Sequence, residues 1–374
     1  MKPSTASMCS GEGFSLPADW ITLKNRHGLT ARFTRYGARW VSMQTPDREG
    51  RMGDILLGFD TLDGYRTAGE AYHGAIIGRV CGRIRNARFR LGTREHVLAS
   101  NDVYGSPIRN HLHGGIKAFH NRFWRSRKFF TGTGEEAVEF TCYSPDGEEG
   151  YPGNLEVKVT YLLGNDDILR MTCEAITDRP TPVNLTNHTF FNLQASAPTA
   201  GKKNVLSHLL TLNASAIIEC DGHLVPTGRL IPVGSTLLDF RTPRTLASSL
   251  AEAHPQILKD KGFSLAYALD RKEGAELSFA ARLSDEVSGR RVDIHTNQLS
   301  MQVYTGYFMD GRDRGKEDIP YFASAGLALE PQGYPDAPNQ PSFPPIWIDK
   351  DTKYWHLTEY RFSCSKEPLP FRRC

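Results

Sequence analysis

Two short stretches carry side chains able to move protons. In "NLTNHTFFNL" (residues 184–193) a histidine, His188, stands among asparagines and strand-forming residues. Strand alternation puts Asn184, Thr186, His188 and Phe190 on one side and Leu185, Asn187, Thr189 and Phe191 on the other. The imidazole then shares a face with polar and aromatic neighbours. In "AGLALEPQ" (residues 325–332) Glu330 closes an apolar run, which places it at the buried end of a strand, and Pro331 removes a backbone donor and stiffens the exit. Burial there raises a carboxyl pKa toward the range where it exchanges a proton near neutral pH. Spacing alone also allows a structural histidine satisfied by carbonyls and an ordinary salt-bridged glutamate.

Further polar clusters sit where strands meet loops: "GRVCGRI" (78–84), "NHLHGGIKAFH" (110–120), "MQVYTGYF" (301–308) and "LEPQGYPDAPNQPSFP" (329–344). His111 and His113 are two apart, hence on one strand face, a spacing that can chelate a metal, although no third ligand is evident. The glycines that follow, Gly114 and Gly115, suit instead a histidine at a pocket rim, because they permit a sharp turn or a close ligand approach. Arg79, Arg83 and Arg85 interrupt an apolar stretch. They read as a solvated strand edge or as guanidinium groups for a sugar or phosphate. Gln302 fits a ladder-side polar residue and a bidentate hydroxyl contact equally.

The elements that must hold these residues have period two. Leu29, Ala31 and Phe33 alternate with Thr30, Arg32 and Thr34; Leu155, Val157, Val159 and Tyr161 alternate with Glu156, Lys158 and Thr160; Val292 and Ile294 oppose Asp293 and His295. Turn clusters such as "SPDGEEGYPGN" and "GNDD" suit antiparallel hairpins. Helical pattern is scarce, the best candidate being "TPRTLASSLAEAHPQIL" (242–258), with Leu246, Leu250 and Ala253 on one stripe and Pro243 near its start. The pattern predicts an all-β chain, a large antiparallel β-sandwich with few short helices. Residues 1–16, crowded with Ser, Gly and Thr, read as a flexible leader, and 17–374 as a single domain.

Composition narrows the function classes. Across 374 residues, 45 Lys+Arg against 42 Asp+Glu give a net charge of +3 with no dense basic tract, which argues against nucleic acid as a partner. No apolar run reaches the length of a membrane span or a signal peptide. The seven cysteines (Cys9, Cys81, Cys142, Cys173, Cys220, Cys364 and Cys374) form no CxxC pair, and their odd number and scatter read as reduced thiols in a cytoplasmic protein.

Taken in order, "LKNRHGLTARFTRYGARWVSM", "DILLGFDTLDGY", "GAIIGR", "LHGG", "YPGNLEVKVTY", "NLTNHTFFNL", "IPVGSTLLDFR", "QVYTG" and "PDAPNQPSFPP" resemble the aldose 1-epimerase (galactose mutarotase) family from about Leu23 to Phe362. The resemblance implies a β-sandwich of the supersandwich type and an isomerase that interconverts the anomers of a monosaccharide, with no cofactor and no metal. It implies a proton donor at His188, a base at Glu330, and sugar contacts at Arg83, His113 and Gln302. Donor and base are expected on opposite sides of the anomeric centre, as imidazolium and carboxylate. The chain departs from the family at Gly82, where an asparagine precedes the arginine, and at Ser264, where a substrate-binding aspartate is usual. Leu265, Tyr307 and Pro331 replace a histidine, an asparagine and a threonine. Intact acid and base beside altered sugar contacts leave three readings: a mutarotase of shifted preference, a carbohydrate-binding or sensing protein with little turnover, and a hexose-phosphate 1-epimerase drawing on Arg79 and Arg85. Oligomeric state is not legible at this level.

Overall fold

The computed structural model describes residues 20–102, 109–195, 204–250, 254–257, 262–272 and 274–366. The proposed leader, Cys9 and Cys374 lie outside them.

Antiparallel pairing follows from the alternation. The strands Glu136–Ser144, Leu155–Leu163 and Ile168–Thr177 are joined by the "SPDGEEGYPGN" and "GNDD" turns, and Tyr354–Cys364 and Arg290–Thr296 continue the same nine-stranded sheet. Leu155, Val157, Val159 and Tyr161 turn inward while Glu156 faces solvent. A second sheet has six strands, in the order Phe190–Phe191, Leu327–Gln332, Ser300–Tyr304, Ser264–Ala268, Ala216–Cys220 and Pro226–Pro232. A four-stranded sheet near the start of the described chain runs Ile21–Lys24, Thr30–Thr34, Arg39–Pro46 and Met52–Asp54.

One hydrophobic cluster draws on all three sheets. It holds Phe33 and Met43 from the third, Tyr161, Met171 and Ile294 from the first, and Leu265, Val303 and Leu329 from the second. Packing apolar side chains between layers supplies the main driving force, about 25 cal/mol per Å² of apolar surface buried. The arrangement is the layered β-sandwich that the pattern predicts.

Two expectations change. The helix expected over 242–258 shrinks to Leu246–Leu250, because Arg244–Thr245 pairs as a strand with Leu209–Leu210 and Pro255 pushes His254 out of helical conformation. Its expected stripe residue Ala253 lies outside the described residues. The stretch 184–193 is not one half-buried strand: Thr186–Asn187 and Phe190–Phe191 pair as two-residue strands, Asn184 forms an isolated bridge with Val80, and every residue in it is buried. Among the described residues no helix is long and apolar enough to cross a membrane.

One glycine locks this interior stretch to the third sheet. Trp40 N donates to Gly74 O (2.9 Å), Gly74 N donates to His188 O (2.8 Å), and Asn187 Nδ2 donates to Gly74 O (2.7 Å). Gly74 has φ +66°, and a Cβ there would lie 2.1 Å from the Trp40 carbonyl oxygen. Substitution Gly74→Ala therefore combines a left-handed backbone penalty with a steric overlap, and we expect a loss of roughly 3 kcal/mol. Urea denaturation checks this; a change under about 0.5 kcal/mol, the scale of an ordinary surface substitution, would count against the packing described.

Candidate active site

The cleft is built on one face of the six-stranded sheet. In its ladders Gln302 lies opposite both Glu330 and Ala266, and Tyr304 opposite Ser264. Residues directly opposite point the same way, so Ser264, Ala266, Gln302, Tyr304, Glu330 and Gln332 form a common floor, while Leu265, Val303 and Leu329 between them enter the core. Loop residues Glu70, Tyr72, His113, Leu224 and Phe308, the short strand residue Arg83 and Cys220 at the end of the Ala216–Cys220 strand add to the lining. His188 completes the wall. All six residues singled out in the sequence (Arg83, His113, His188, Ser264, Gln302 and Glu330) line this one cleft.

The asparagines around His188 act as clamps. Asn184 Nδ2 donates to Gly333 O (3.1 Å) and its Oδ1 accepts from Gly333 N (2.8 Å), which ties the histidine segment to the chain just beyond Glu330. Asn187 reaches Gly74 O and Tyr161 Oη, and Asn192 Nδ2 donates to Ala325 O (2.8 Å) at the other end of the Glu330 strand. The His188 backbone N–H donates to Ala75 O (2.9 Å). Phe190 and Tyr72 pack on the imidazole with ring centroids 4.9 and 5.5 Å away.

These clamps bring His188 Nε2 to 3.6 Å from Glu330 Oε1, with both residues buried. His188 Nδ1 and Glu330 Oε2 have no hydrogen-bond partner among the described residues. The two groups stand side by side rather than astride the cleft, so the expected opposed placement is corrected. Their shared floor-and-wall corner suits two oxygens borne by one carbon. Protonation is corrected too. Burial holds the His188 imidazole down at about 3 and pushes the Glu330 carboxyl well up, with Glu70 adding to the latter. Both shifts favour a protonated carboxyl beside a neutral imidazole, because a desolvated charge pair with no further hydrogen bonds is disfavoured.

The remaining residues hold fixed poses. Arg83 Nε donates to Asp102 Oδ2 (2.8 Å), a carboxylate that also accepts from Asn110 Nδ2 (3.3 Å). His113 Nδ1 accepts from Gly82 N (3.2 Å), which leaves Nε2–H as its free donor, and desolvation keeps the ring neutral. Gln302 Nε2 donates to Ser264 Oγ (3.2 Å).

The three arginines separate. Arg79 is buried, not a solvated edge: its guanidinium donates to Ser144 Oγ and to the carbonyls of Ser144, Pro145, Pro152 and Gly153, outside the cleft. Arg85 bonds Asp221 and the Pro226 carbonyl. His111 and His113 do not form a chelating pair. The short strand His111–Leu112 ends before His113, which has φ +51°, and His111 is spent on Ala99 O and Tyr151 Oη. Among the described residues no cluster of three or more His, Cys, Asp or Glu could hold a metal ion.

Sequence reading missed Glu70, Tyr72, Tyr304, Gln332 and Asp102. Tyr304 and Gln332 lie two residues from Gln302 and Glu330, so period two carried that signal. Glu70 and Tyr72 lie in a loop without periodicity and left none. Glu70 is buried; its Oε2 accepts from Tyr304 Oη (3.1 Å), and burial pushes its pKa up to about 7.

Comparison with known proteins gives a consistent picture. Residues 19–361 match the family model described as aldose 1-epimerase. The chain is 39% identical to a galactose mutarotase from Bos taurus over 328 residues, covering 88% of this chain and 89% of that one. It is 32% identical to an aldose 1-epimerase from Haemophilus influenzae, covering 92% and 96%. The crystal structure of an aldose epimerase homologue from C. elegans superposes with a TM-score of 0.82 at 29% identity, covering 93% of this chain and 99% of that one.

Burial of neutral histidines makes a measurable prediction. His111 and His356 are held at about 4, His120 and His188 at about 3, all by desolvation. Above pH 6.5, their ordinary value, they are neutral both folded and unfolded; below it the unfolded chain takes up protons that the folded chain refuses. Stability thus falls as pH drops from about 6.5 toward 4, offset in part by Glu70 and Glu330, whose raised values act in the opposite sense. His356 lies beneath the site, bonded to Leu185 O and Thr358 Oγ1. In denaturation series at pH 5, 6 and 7, His356→Gln should flatten the slope by about 1.2 kcal/mol between pH 6 and 5 and by roughly half that between pH 7 and 6. Parallel slopes for variant and parent would refute the burial effect.

Proposed function

Because the chain belongs to the aldose 1-epimerase family, we propose that this cleft interconverts the α and β anomers of a free, uncharged aldose, with Glu330 and His188 as the residues that exchange protons with the sugar. The observation that carries this reading is the buried carboxyl–imidazole pair, 3.6 Å apart, at the corner of floor and wall of the cleft.

Anomer exchange asks little of a protein beyond placement. A proton leaves the C1 hydroxyl and another arrives at the ring oxygen, the C1–O5 bond breaks, and the hemiacetal becomes an aldehyde. Rotation about C1–C2 presents the other face, and closure reverses both transfers. In the opening direction Glu330 as carboxylate takes the hydroxyl proton while His188 as imidazolium supplies the ring oxygen. Opening leaves Glu330 protonated and His188 neutral.

That product state has the protonation that burial favours. The ionised pair differs from it only in one proton residing on His188 instead of Glu330, whose Nε2 and Oε1 lie 3.6 Å apart. A bound sugar aids the step by offering hydroxyls to oxygens that otherwise lack partners. Arg83, His113 and Gln302, each already pinned by a neighbour, then orient the sugar at low entropic cost.

A phosphorylated substrate is disfavoured by the same geometry. Arg79 is fully spent outside the cleft, Arg85 is occupied by Asp221 and Pro226, and Arg83 is neutralised by Asp102, whereas Glu70 and Glu330 both face the substrate. The described cysteines Cys81, Cys142, Cys173, Cys220 and Cys364 are free thiols, which supports a cytoplasmic setting.

Polarimetry of freshly dissolved α-glucose and α-galactose tests the assignment. Glu330→Gln and His188→Asn should each lower kcat by about 10²- to 10⁴-fold with smaller changes in KM. Variants retaining more than about a tenth of the parent rate would remove these two residues from the chemistry. A parent without anomerase activity that nonetheless binds sugar would favour the sensing reading.

A further inference from the structure

Glu70 is a second buried carboxylate in the cleft, and it takes no direct part in the proposed proton transfers. It lines the cleft with Glu330 and His188 and is 5% exposed. Its loop is held from a distant hairpin: the backbone N–H groups of Gly69 and Glu70 donate to the Asp313 carboxylate at 2.7 and 2.9 Å. Tyr304, on the cleft floor, donates to Oε2, while Oε1 has no hydrogen-bond partner among the described residues.

The obvious structural partner makes no hydrogen bond to it. Arg39 is buried nearby and attracts Glu70 electrostatically, but its terminal nitrogens donate to the carbonyls of Ala71, His73 and His120, and its Nε has no hydrogen-bond partner among the described residues. A buried carboxylate oxygen left unpaired is costly, so a donor that arrives with ligand is the economical solution. Meanwhile the Gly82 and Ser264 positions offer no carboxylate and no amide, so recognition there is thin.

We propose that Glu70 is a recognition residue whose Oε1 accepts a hydrogen bond from one non-anomeric hydroxyl of the sugar and thereby sets which aldose the cleft prefers. This rests on the proposed function. The C1 hydroxyl and the ring oxygen are engaged by Glu330 and His188, so the partner of Glu70 is a hydroxyl elsewhere on the ring. Above about pH 7, where Glu70 is deprotonated, it only accepts, and the group it reads must donate.

A residue-by-hydroxyl cycle tests the proposal. Anomerisation of the parent's best aldose and of its 2-, 3-, 4- and 6-deoxy analogues is measured for the parent, Glu70→Leu and the near-isosteric Glu70→Gln. Glu70→Leu should raise KM for the full sugar about tenfold to hundredfold while kcat stays within about threefold, the range expected for losing one charge-assisted hydrogen bond. One deoxy analogue should already be poor for the parent and indifferent to the substitution, the others losing as the full sugar does. Should Glu70→Leu fail to fold, Glu70→Gln is read in the same way, with a smaller rise in KM. Equal losses on every analogue, or an unchanged KM with a lowered melting temperature, would overturn the proposal and leave Glu70 a structural partner of Tyr304. If the parent turns over no sugar, the proposed function fails on its own. The same cycle read by calorimetric sugar affinity then judges Glu70 separately, and absence of coupling to any hydroxyl there also overturns it.

Discussion

A carboxyl and an imidazole, Glu330 and His188, are held 3.6 Å apart out of water, and each keeps one polar atom without a partner. Such a pair is unstable by itself. Desolvation penalises both ionised forms, so the proton settles on the carboxyl. The penalty also leaves the charged and neutral arrangements as tautomers with one proton between them. The buried corner is thus a cost to stability that the surrounding core must offset.

The offset is organised around three asparagines. Asn184 grips Gly333, Asn187 grips Gly74 and Tyr161, and Asn192 grips Ala325. Two of these contacts flank the strand bearing Glu330, and the third anchors the histidine to the third sheet. Because amides replace part of the backbone ladder along 184–193, the segment can lie in the interior without a long continuous strand partner. Gly74 permits the close approach that makes the third contact possible. Separation of the reacting atoms is therefore set by interior hydrogen bonds of defined length rather than by loops, which is how positioning to fractions of an ångström is achieved.

Much of this was legible from the amino-acid order because period two reports two things together. Along Ser300–Tyr304 and Leu327–Gln332, one set of alternate residues is apolar and fills the core; the other set is Gln302, Tyr304, Glu330 and Gln332, the cleft floor. His188 was visible as a histidine in a strand-like setting, although its strand proved to be two short bridges. Arg79 was misread as solvated because an arginine within an apolar stretch resembles an edge, and only tertiary contacts reveal five acceptors waiting for it. The His111–His113 pairing failed for a local reason, a left-handed residue that ends alternation. Glu70 and Asp102 come from loops brought in by folding, where neither period nor composition carries information.

Chemistry and recognition occupy different parts of the cleft, and this has an evolutionary consequence. The pair proposed to exchange protons depends on core packing: moving His188 would disturb Phe190, Gly74 and the asparagine clamps together. The groups proposed to recognise sugar are held separately: Ser264 hangs from one edge of the floor, Arg83 is steadied by a loop aspartate, and Glu70 rests on a loop tied to Asp313. A substitution among these groups leaves the corner intact. Substitutions at positions 264 and 70 are then changes that leave the separation between Nε2 and Oε1 in place. Under the proposed function, preference among sugars can therefore drift while ring opening stays fixed, since opening touches only two atoms that every aldose has in common.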